Sequence, residues 1–561
     1  MKENSILKFS PVHSKALCPW RVHRESFTSQ IIVFISFLAF SACNQQAGKP
    51  GRSASTDSVQ NSIEITAATI AGNFSSQSAL VFDSSLVDSF FVHYPLFKPF
   101  DTKIRRFYTN RKFAYAWHDG SGLIEQAGNL YNRMQNLEAE GVTVKVPYLS
   151  MVDSLVTSGN VREQLAQPAI DMMLTAYYFF FAERIWGGLD EEKSREIDWL
   201  LPRKKVDYEV WLDSLLQVSE AFKQADEPVY RQYNLLKTYL DKYKKIAEGN
   251  AWPVLSSKKK SQRMGDSSTL IHAMKVRLQL LGDLETPSET NIFDSAMAEA
   301  VKKFQHRFGM KQDGIIGPQV IRELNTSLQK RIEQISVNIE RSRWLPDAMK
   351  GRYLAVNIPD FKLHAYEDDS LLWSMNVVVG KSVHKTVVFS GELKYVVFSP
   401  YWNVPPGILK NEILPGIQKN KNYLDIHHME WYGNTVRQKP GPWNSLGKVK
   451  FLFPNSHSIY LHDTPSKSLF NEEKRAFSHG CIRVAEPKKL ASYLLRDDPN
   501  WDEQKIDVAM NRGKEQYVTL KENMPVFIAY FTAWVDRAGL LNFRDDIYSR
   551  DKRLAELVMQ K

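Results

Sequence analysis

The chain has 561 residues, 43 % of them hydrophobic and 24 % charged, a composition that can fill several cores and excludes wholesale disorder. Its formal net charge is +10, from 73 Lys and Arg against 63 Asp and Glu. That excess suits an anionic polymer or a membrane surface, but the basic residues are scattered without a nucleic-acid motif, so no nucleic-acid partner is expected.

Residues 31–42, IIVFISFLAFSA, form an apolar run preceded by Lys15, Arg21, His23 and Arg24. The run is short for a bilayer span and ends in small residues, as the core of a signal peptide does. It leads into FSAC, which resembles the bacterial lipobox. Residues 1–43 are therefore read as a signal peptide, and the resemblance implies lipidation of Cys43 and a periplasmic protein anchored in a membrane through that lipid. Cys18 would leave with the leader, so Cys481 is the one free thiol of the mature chain. An exported compartment favours disulfides, yet this thiol has no partner for one. A nucleophile, a metal ligand and a small buried hydrophobe all stay open for it at this stage. Residues 44–85, rich in Ser, Gln, Gly and Ala, read as a flexible tether.

From 86 to 255 the pattern is that of a helical scaffold. GLIEQAGNLYNRMQNLEAEGV spaces its apolar residues for a helix and stops at Gly141. AIDMMLTAYYFFFAERIWGGL (169–189) is apolar enough to suggest a membrane span, but Asp171, Glu183 and Arg184 favour a buried core helix. SSKKKSQR (256–263) reads as a solvated hinge. Beyond it, 270–325 holds two amphipathic helices, ending near Gly282 and Gly309, and a third beginning near Pro318. The AVKKFQ helix, the DGIIGP turn and the LN ending resemble the peptidoglycan-binding helical domain of wall enzymes. That domain is placed at 262–330, and peptidoglycan glycan and stem peptides are the implied partners.

After residue 350 the pattern turns to strands: YLAVNIPDFKLHAYE, LLWSMNVVVG, KTVVFSGELKYVVFSP and SIYLHDT are rich in β-branched and aromatic residues. EPKKLASYLLRD (486–497) is helical again. A mainly β catalytic domain is expected over 350–535. The weakly patterned stretch at about 405–450 reads as a lid, and 536–561 as a helical tail. The fold class is α+β, multidomain.

Cys481 becomes a strong nucleophile only as a thiolate, which a nearby histidine provides by accepting its proton. His479 is two residues away; His462 lies 19 residues upstream on a strand-like segment. Gly480 permits the close backbone approach that an oxyanion needs. HDTPSKSLFNEEKRAFSHGCIRV resembles the signature of the L,D-transpeptidases, and YWNVPPGILKNEILP, RQKPGPWNSLGKVKF and PNSHSIYLHDTP resemble the long periplasmic members of that family. The resemblance, which reaches more weakly through RFYTNRKFAYAW, covers roughly residues 86–535.

The family implies Cys481 as the acylated nucleophile and His462 as its base, with the Asp463 backbone carbonyl orienting the imidazole. Gly480 and Cys481 would supply oxyanion N–H groups. Arg483, Ser478 and His479 are substrate-side candidates; Tyr460, Trp402 and Asn403 either line the pocket or pack the strands. Zinc held by His457, His462, His479 and Cys481 is the weighed alternative, but no His-Glu-x-x-His or Cys-x-x-Cys spacing appears, so neither metal nor cofactor is expected. The implied reaction is transfer from a tetrapeptide stem, releasing D-Ala, to an acceptor amine, giving 3→3 cross-links. An L,D-carboxypeptidase, a protein-to-wall ligase using the same site, and a non-catalytic wall-binding lipoprotein are the alternatives.

Overall fold

The computed structural model describes residues 80–558 except 120–121, 143, 159–166, 217–226, 287–288 and 347–348. The signal-peptide reading, Cys18, Cys43 and residues 44–79 of the tether reading lie outside the described residues. The folded scaffold takes in residues that the tether reading assigned elsewhere. Val81 bridges Ala114, and Phe82 is buried edge-on against Tyr108 and Tyr115.

The scaffold core is largely aromatic and centres on α1 (Gln167–Phe181), which is buried along almost its whole length. Asp171 is tolerated there because every lone-pair direction is used. Its carboxylate accepts the N–H groups of Ala116 and Trp117, the Tyr108 hydroxyl and the His118 ring nitrogen. The charge inside this apolar run therefore serves a buried turn. Among the described residues no helix is long and apolar enough to cross a membrane.

Helix α2 (Gln232–Gly249) leads to α3 (Thr269–Leu281), α4 (Ser295–Arg307) and α5 (Pro318–Asn325). Each start is chemically marked: Ser268 and Asp294 cap α3 and α4, and Pro318 opens α5. Gly282, in the left-handed region at φ +87°, ends α3. The segment at 256–263 is docked, not a free hinge. Gln262 is buried and exchanges both backbone hydrogen bonds with Ile316 at 2.9 Å.

The three-helix unit also shares its core with the rest of the chain. The buried pair Arg307–Asp283 is bidentate, and Arg307 Nη1 donates to the Leu541 carbonyl at 2.7 Å. Helix α6 (Leu328–Trp344), nearly all buried, runs between scaffold and catalytic domain. Its Arg341 pairs with Asp551, and its Asn338 exchanges hydrogen bonds with Thr532.

In the catalytic domain β1 (Trp199–Leu200), lent by the scaffold, joins β2 (Arg352–Asn357), β3 (Lys362–Glu367), β4 (Ser370–Gly380) and β5 (Val388–Phe398). Further along come β6 (Trp402–Asn403), β7 (Met429–Tyr432), β8 (Thr435–Gln438), β9 (Val449–Leu452), β10 (Leu461–His462), β11 (Ala476–Ser478), β12 (Ile482–Val484) and β13 (Gln516–Ala529). The main sheet runs β9-β10-β12-β4-β3-β2-β13-β5-β1, and β9 also pairs with β5, which closes the sheet on itself. Leu354, Val356, Val377, Val396, Phe451, Leu461, Ile482 and Val526 fill it. Helices α7 (Pro487–Leu495) and α8 (Glu503–Asn511) add Leu490 and Ile506 to that core.

The expected lid is a structured subdomain rather than a loop. Strands β6, β8 and β7 form their own sheet over a small core of Val404, Ile413, Met429 and Val436. It ends before β9, which belongs to the main sheet. The segment after 535 is only partly helical. The β14 (Ala533–Val535) and β15 (Leu541–Phe543) hairpin packs into the scaffold core before α9 (Arg550–Val558).

Candidate active site

Strands β10 and β12 are parallel neighbours with Leu461 opposite Ile482 and His462 opposite Arg483. Leu461 and Ile482 are fully buried in the core, so by strand alternation Tyr460, His462, Cys481 and Arg483 share the opposite face. Two residues 19 apart in sequence thus become diagonal neighbours. The Ile482 N–H donates to the Tyr460 carbonyl at 3.2 Å and locks this register. The Tyr460 ring meets His462 edge-on, with centroids 5.7 Å apart.

His462 is buried and its Nδ1 lies 2.5 Å from the Asp463 carbonyl oxygen. A carbonyl only accepts, so Nδ1 carries the proton and Nε2 is left as the basic nitrogen. The Asp463 main chain is itself pinned from three sides. Its N–H donates to Val449, while its carboxylate accepts the Lys448 and Thr464 N–H groups at 2.8 and 2.7 Å and the Lys467 ammonium. Gly447, at φ +62°, lies so close to that carboxylate that a Cβ would collide with it.

Burial holds the Cys481 thiol above its ordinary value, against the opposing pull of Tyr460 and Arg483. Burial, reinforced by the Arg483 charge, pushes His462 down to about 3 despite its bond to Asp463. The resting pair is therefore a neutral thiol beside a neutral imidazole. Alkylation of Cys481 by iodoacetamide should accelerate with pH through and beyond 9, the ordinary thiol value, with no plateau near neutrality. A plateau of fast alkylation below pH 7 would instead show a preformed thiolate–imidazolium pair.

The turn carrying Cys481 is braced internally, and the bracing gives structural roles to two residues whose types had suggested substrate or oxyanion contacts. Ser478, expected on the substrate side, is buried; its hydroxyl donates to the Cys481 carbonyl at 2.5 Å and accepts the Gly480 N–H at 3.1 Å. The Gly480 N–H is thus occupied and is not free to serve an oxyanion. What the turn needs from Gly480 is its φ of +115°, costly for any residue with a Cβ. Beneath it, Thr386 donates to the Gly480 carbonyl and accepts the Gly380 N–H, both at 2.9 Å, and Tyr548 donates to the Gly380 carbonyl at 2.6 Å.

His479 engages the lid. Its Nε2 is 3.1 Å from Glu412 Oε1 on the lid, and its ring lies 5.0 Å from that of His384. Trp402 and Asn403 form β6 within the lid sheet, with Trp402 packed on the lid core. Arg483 stands beside both Cys481 and His462 with its Nε buried and without a hydrogen-bond partner among the described residues. Glu412, Thr386, Gly380 and the Asp463 carboxylate were not singled out in the sequence. Only the TVV run after Thr386 and the DT following His462 hinted at positions near a strand end.

No group of three or more His, Cys, Asp or Glu side chains among the described residues could hold a metal. His457 lies against Phe389, with ring centroids 4.9 Å apart, while His479 turns to the lid, so the zinc alternative finds no converging donors.

The model of the L,D-transpeptidase catalytic domain matches residues 351–509, which contain this His–Cys arrangement. By this match, residues 351–509 are similar to the catalytic domain of the L,D-transpeptidase family. A scaffold-domain model matches residues 102–240, and the "Putative peptidoglycan binding domain" model matches 267–324. A Haemophilus influenzae protein named "Putative L,D-transpeptidase" is 34 % identical over 250 residues, a match covering 41 % of this chain and 50 % of that protein. The chain thus spans half the length of this curated relative. Among solved structures, an L,D-transpeptidase of Stackebrandtia nassauensis aligns at 15 % identity and a TM-score of 0.21, over 49 % of this chain and 97 % of its own. One of Xylanimonas cellulosilytica aligns at 15 % and 0.17, over 49 % and 100 %.

Proposed function

We propose that this chain is an L,D-transpeptidase that acts on peptidoglycan by cysteine acyl transfer. The observation that carries the reading is the Nδ1–H tautomer of His462, held by the Asp463 carbonyl on the same strand face as Cys481. As Sγ attacks the carbonyl of the third stem residue, the thiol proton passes to His462 Nε2. The tetrahedral intermediate collapses to a thioester, and that proton leaves with the amine of D-Ala. With Gly480 N–H engaged, the Cys481 N–H is the turn's remaining donor for the oxyanion. An acceptor amine from a second stem then attacks the thioester, gives its proton to His462, and forms the 3→3 amide while the thiol is restored. The peptidoglycan-binding domain supports a cell-envelope protein, and lipidation at Cys43 would anchor it to a membrane.

Purified protein incubated with disaccharide-tetrapeptides should yield a dimer lighter than two substrates by one D-Ala, read by mass spectrometry. Tripeptide alone would assign the site to hydrolysis, an L,D-carboxypeptidase. Binding to sacculi with no product at all would leave only a wall-binding lipoprotein.

A further inference from the structure

A cleft of about 440 Å³ separates the peptidoglycan-binding domain from the catalytic domain. One wall carries Lys311 and Arg331; the other is made by the start of β3 and by 470–475, the stretch that runs into the Cys481 turn. The connection to the nucleophile is short. The Arg475 carbonyl accepts the Val379 N–H at 2.9 Å, and β11 then lies along β4 as far as Ser478.

Charge in the cleft is unevenly satisfied. Asp360 is taken by Arg544 at 2.7 Å, Asp545 by Lys474 at 2.8 Å, Glu323 by Arg331 at 2.6 Å, and Glu473 by the Lys311 N–H at 3.4 Å. Lys311 and Lys362 have no ion-pair partner among the described residues. Arg475 spends both terminal nitrogens on the carbonyls of Glu472 and Phe361. Glu472, and Glu473, whose contact is with a main-chain N–H and not with a cation, are the two carboxylates left beside these three cations, so one positive charge is in excess. Burial holds the Lys362 ammonium below its ordinary value; Asp360 pulls the other way, and Arg475 and Arg544 add to the downward push. Two buried polar atoms of the lining, Arg475 Nε and Asn376 Oδ1, also lack a partner among the described residues. Unmet donors and an unmet acceptor in one polar cleft describe an absent ligand that carries both an anion and an amide-like donor.

We propose that this cleft is a second binding site for the wall polymer, gripping a free peptide-stem carboxylate with Lys311, Lys362 and Arg475, apart from the stem undergoing reaction at Cys481. The assignment rests on the peptidoglycan reading above. A carboxylate and a phosphate share the required charge. The orphaned Asn376 acceptor favours the peptide, whose amide N–H a phosphate diester lacks.

The test uses the full mature chain as Cys481→Ala, titrated by calorimetry with a disaccharide-tripeptide whose stem carboxylates are free. Adding Lys311→Gln and Lys362→Gln should weaken one binding step at least 10-fold, and Lys362→Arg alone should retain it. Amidating the stem carboxylates of the probe should remove the same step. Unchanged affinity and stoichiometry in the double variant, or equal binding of the amidated probe, would overturn the site. Inorganic phosphate displacing the peptide at lower concentration than free tripeptide would overturn its assignment to a carboxylate. Turnover by the chain with Cys481 intact tests the catalytic reading separately, so failure of one is not failure of the other.

Discussion

Cys481→Ala should abolish both acylation and cross-linking while the protein stays folded. The nucleophile has no substitute, since Cys481 is the only free cysteine among the described residues, and the missing bond-forming atom cannot be supplied by positioning alone. Loss of such a nucleophile removes several orders of magnitude in rate. The fold should survive, because the turn is held by Ser478, Gly480 and Thr386 through main-chain contacts rather than by the sulfur. The thiol touches the Ser458 carbonyl at 3.6 Å and interacts with Tyr460, and its removal should cost about 1 kcal/mol. Cys481→Ser should be nearly as inactive, since a hydroxyl is far harder to deprotonate beside a neutral imidazole. Intact-mass detection of a carbapenem adduct on the parent and none on Cys481→Ala checks the assignment. Residual turnover by the alanine variant would sink it.

His462→Gln should lower the rate of acylation by roughly two to four orders of magnitude, the usual range for losing a positioned general base. The neutral resting pair makes this residue indispensable: no thiolate stands ready, so the proton must move as the bond forms. His479→Ser, by contrast, should keep measurable activity, because that ring engages Glu412 and His384 and not the reacting atoms. Single-turnover acylation by a carbapenem, followed by mass, separates the two. A more severe loss in His479→Ser would mean that the lid-bound histidine swings in as the base.

Much of the placement of the candidate residues was legible because it depends on residue type and strand periodicity. Cys481 followed by the alternating Ile482, Arg483 and Val484, and Tyr460, Leu461 and His462 upstream, already place Cys481 and His462 on one face once the two strands pair. Helix limits at Gly282 and Pro318 were equally local, since capping and φ preferences act within one turn. The Asp463 carbonyl as the partner of His462 came from family resemblance, and the structure places it there.

Other features depended on residues far apart in the chain, where local propensity carries no information. Glu412 meets His479 because the lid folds as its own three-stranded sheet, which the weak alternation over 405–450 concealed. Ser478 and Gly480 looked like substrate and oxyanion groups by type. Only the closed turn shows the hydroxyl and the N–H satisfying each other. The helix at 328–344 went unread, its Asn338, Glu340, Arg341 and Arg343 breaking the apolar stripe, because its polar side chains are buried against partners in three other segments. For the same reason the peptidoglycan-binding domain and the hairpin after 532 merge into one core. Arg307 reaches Leu541 across 234 positions of chain, a contact set by the packing of whole elements and invisible to any window of sequence.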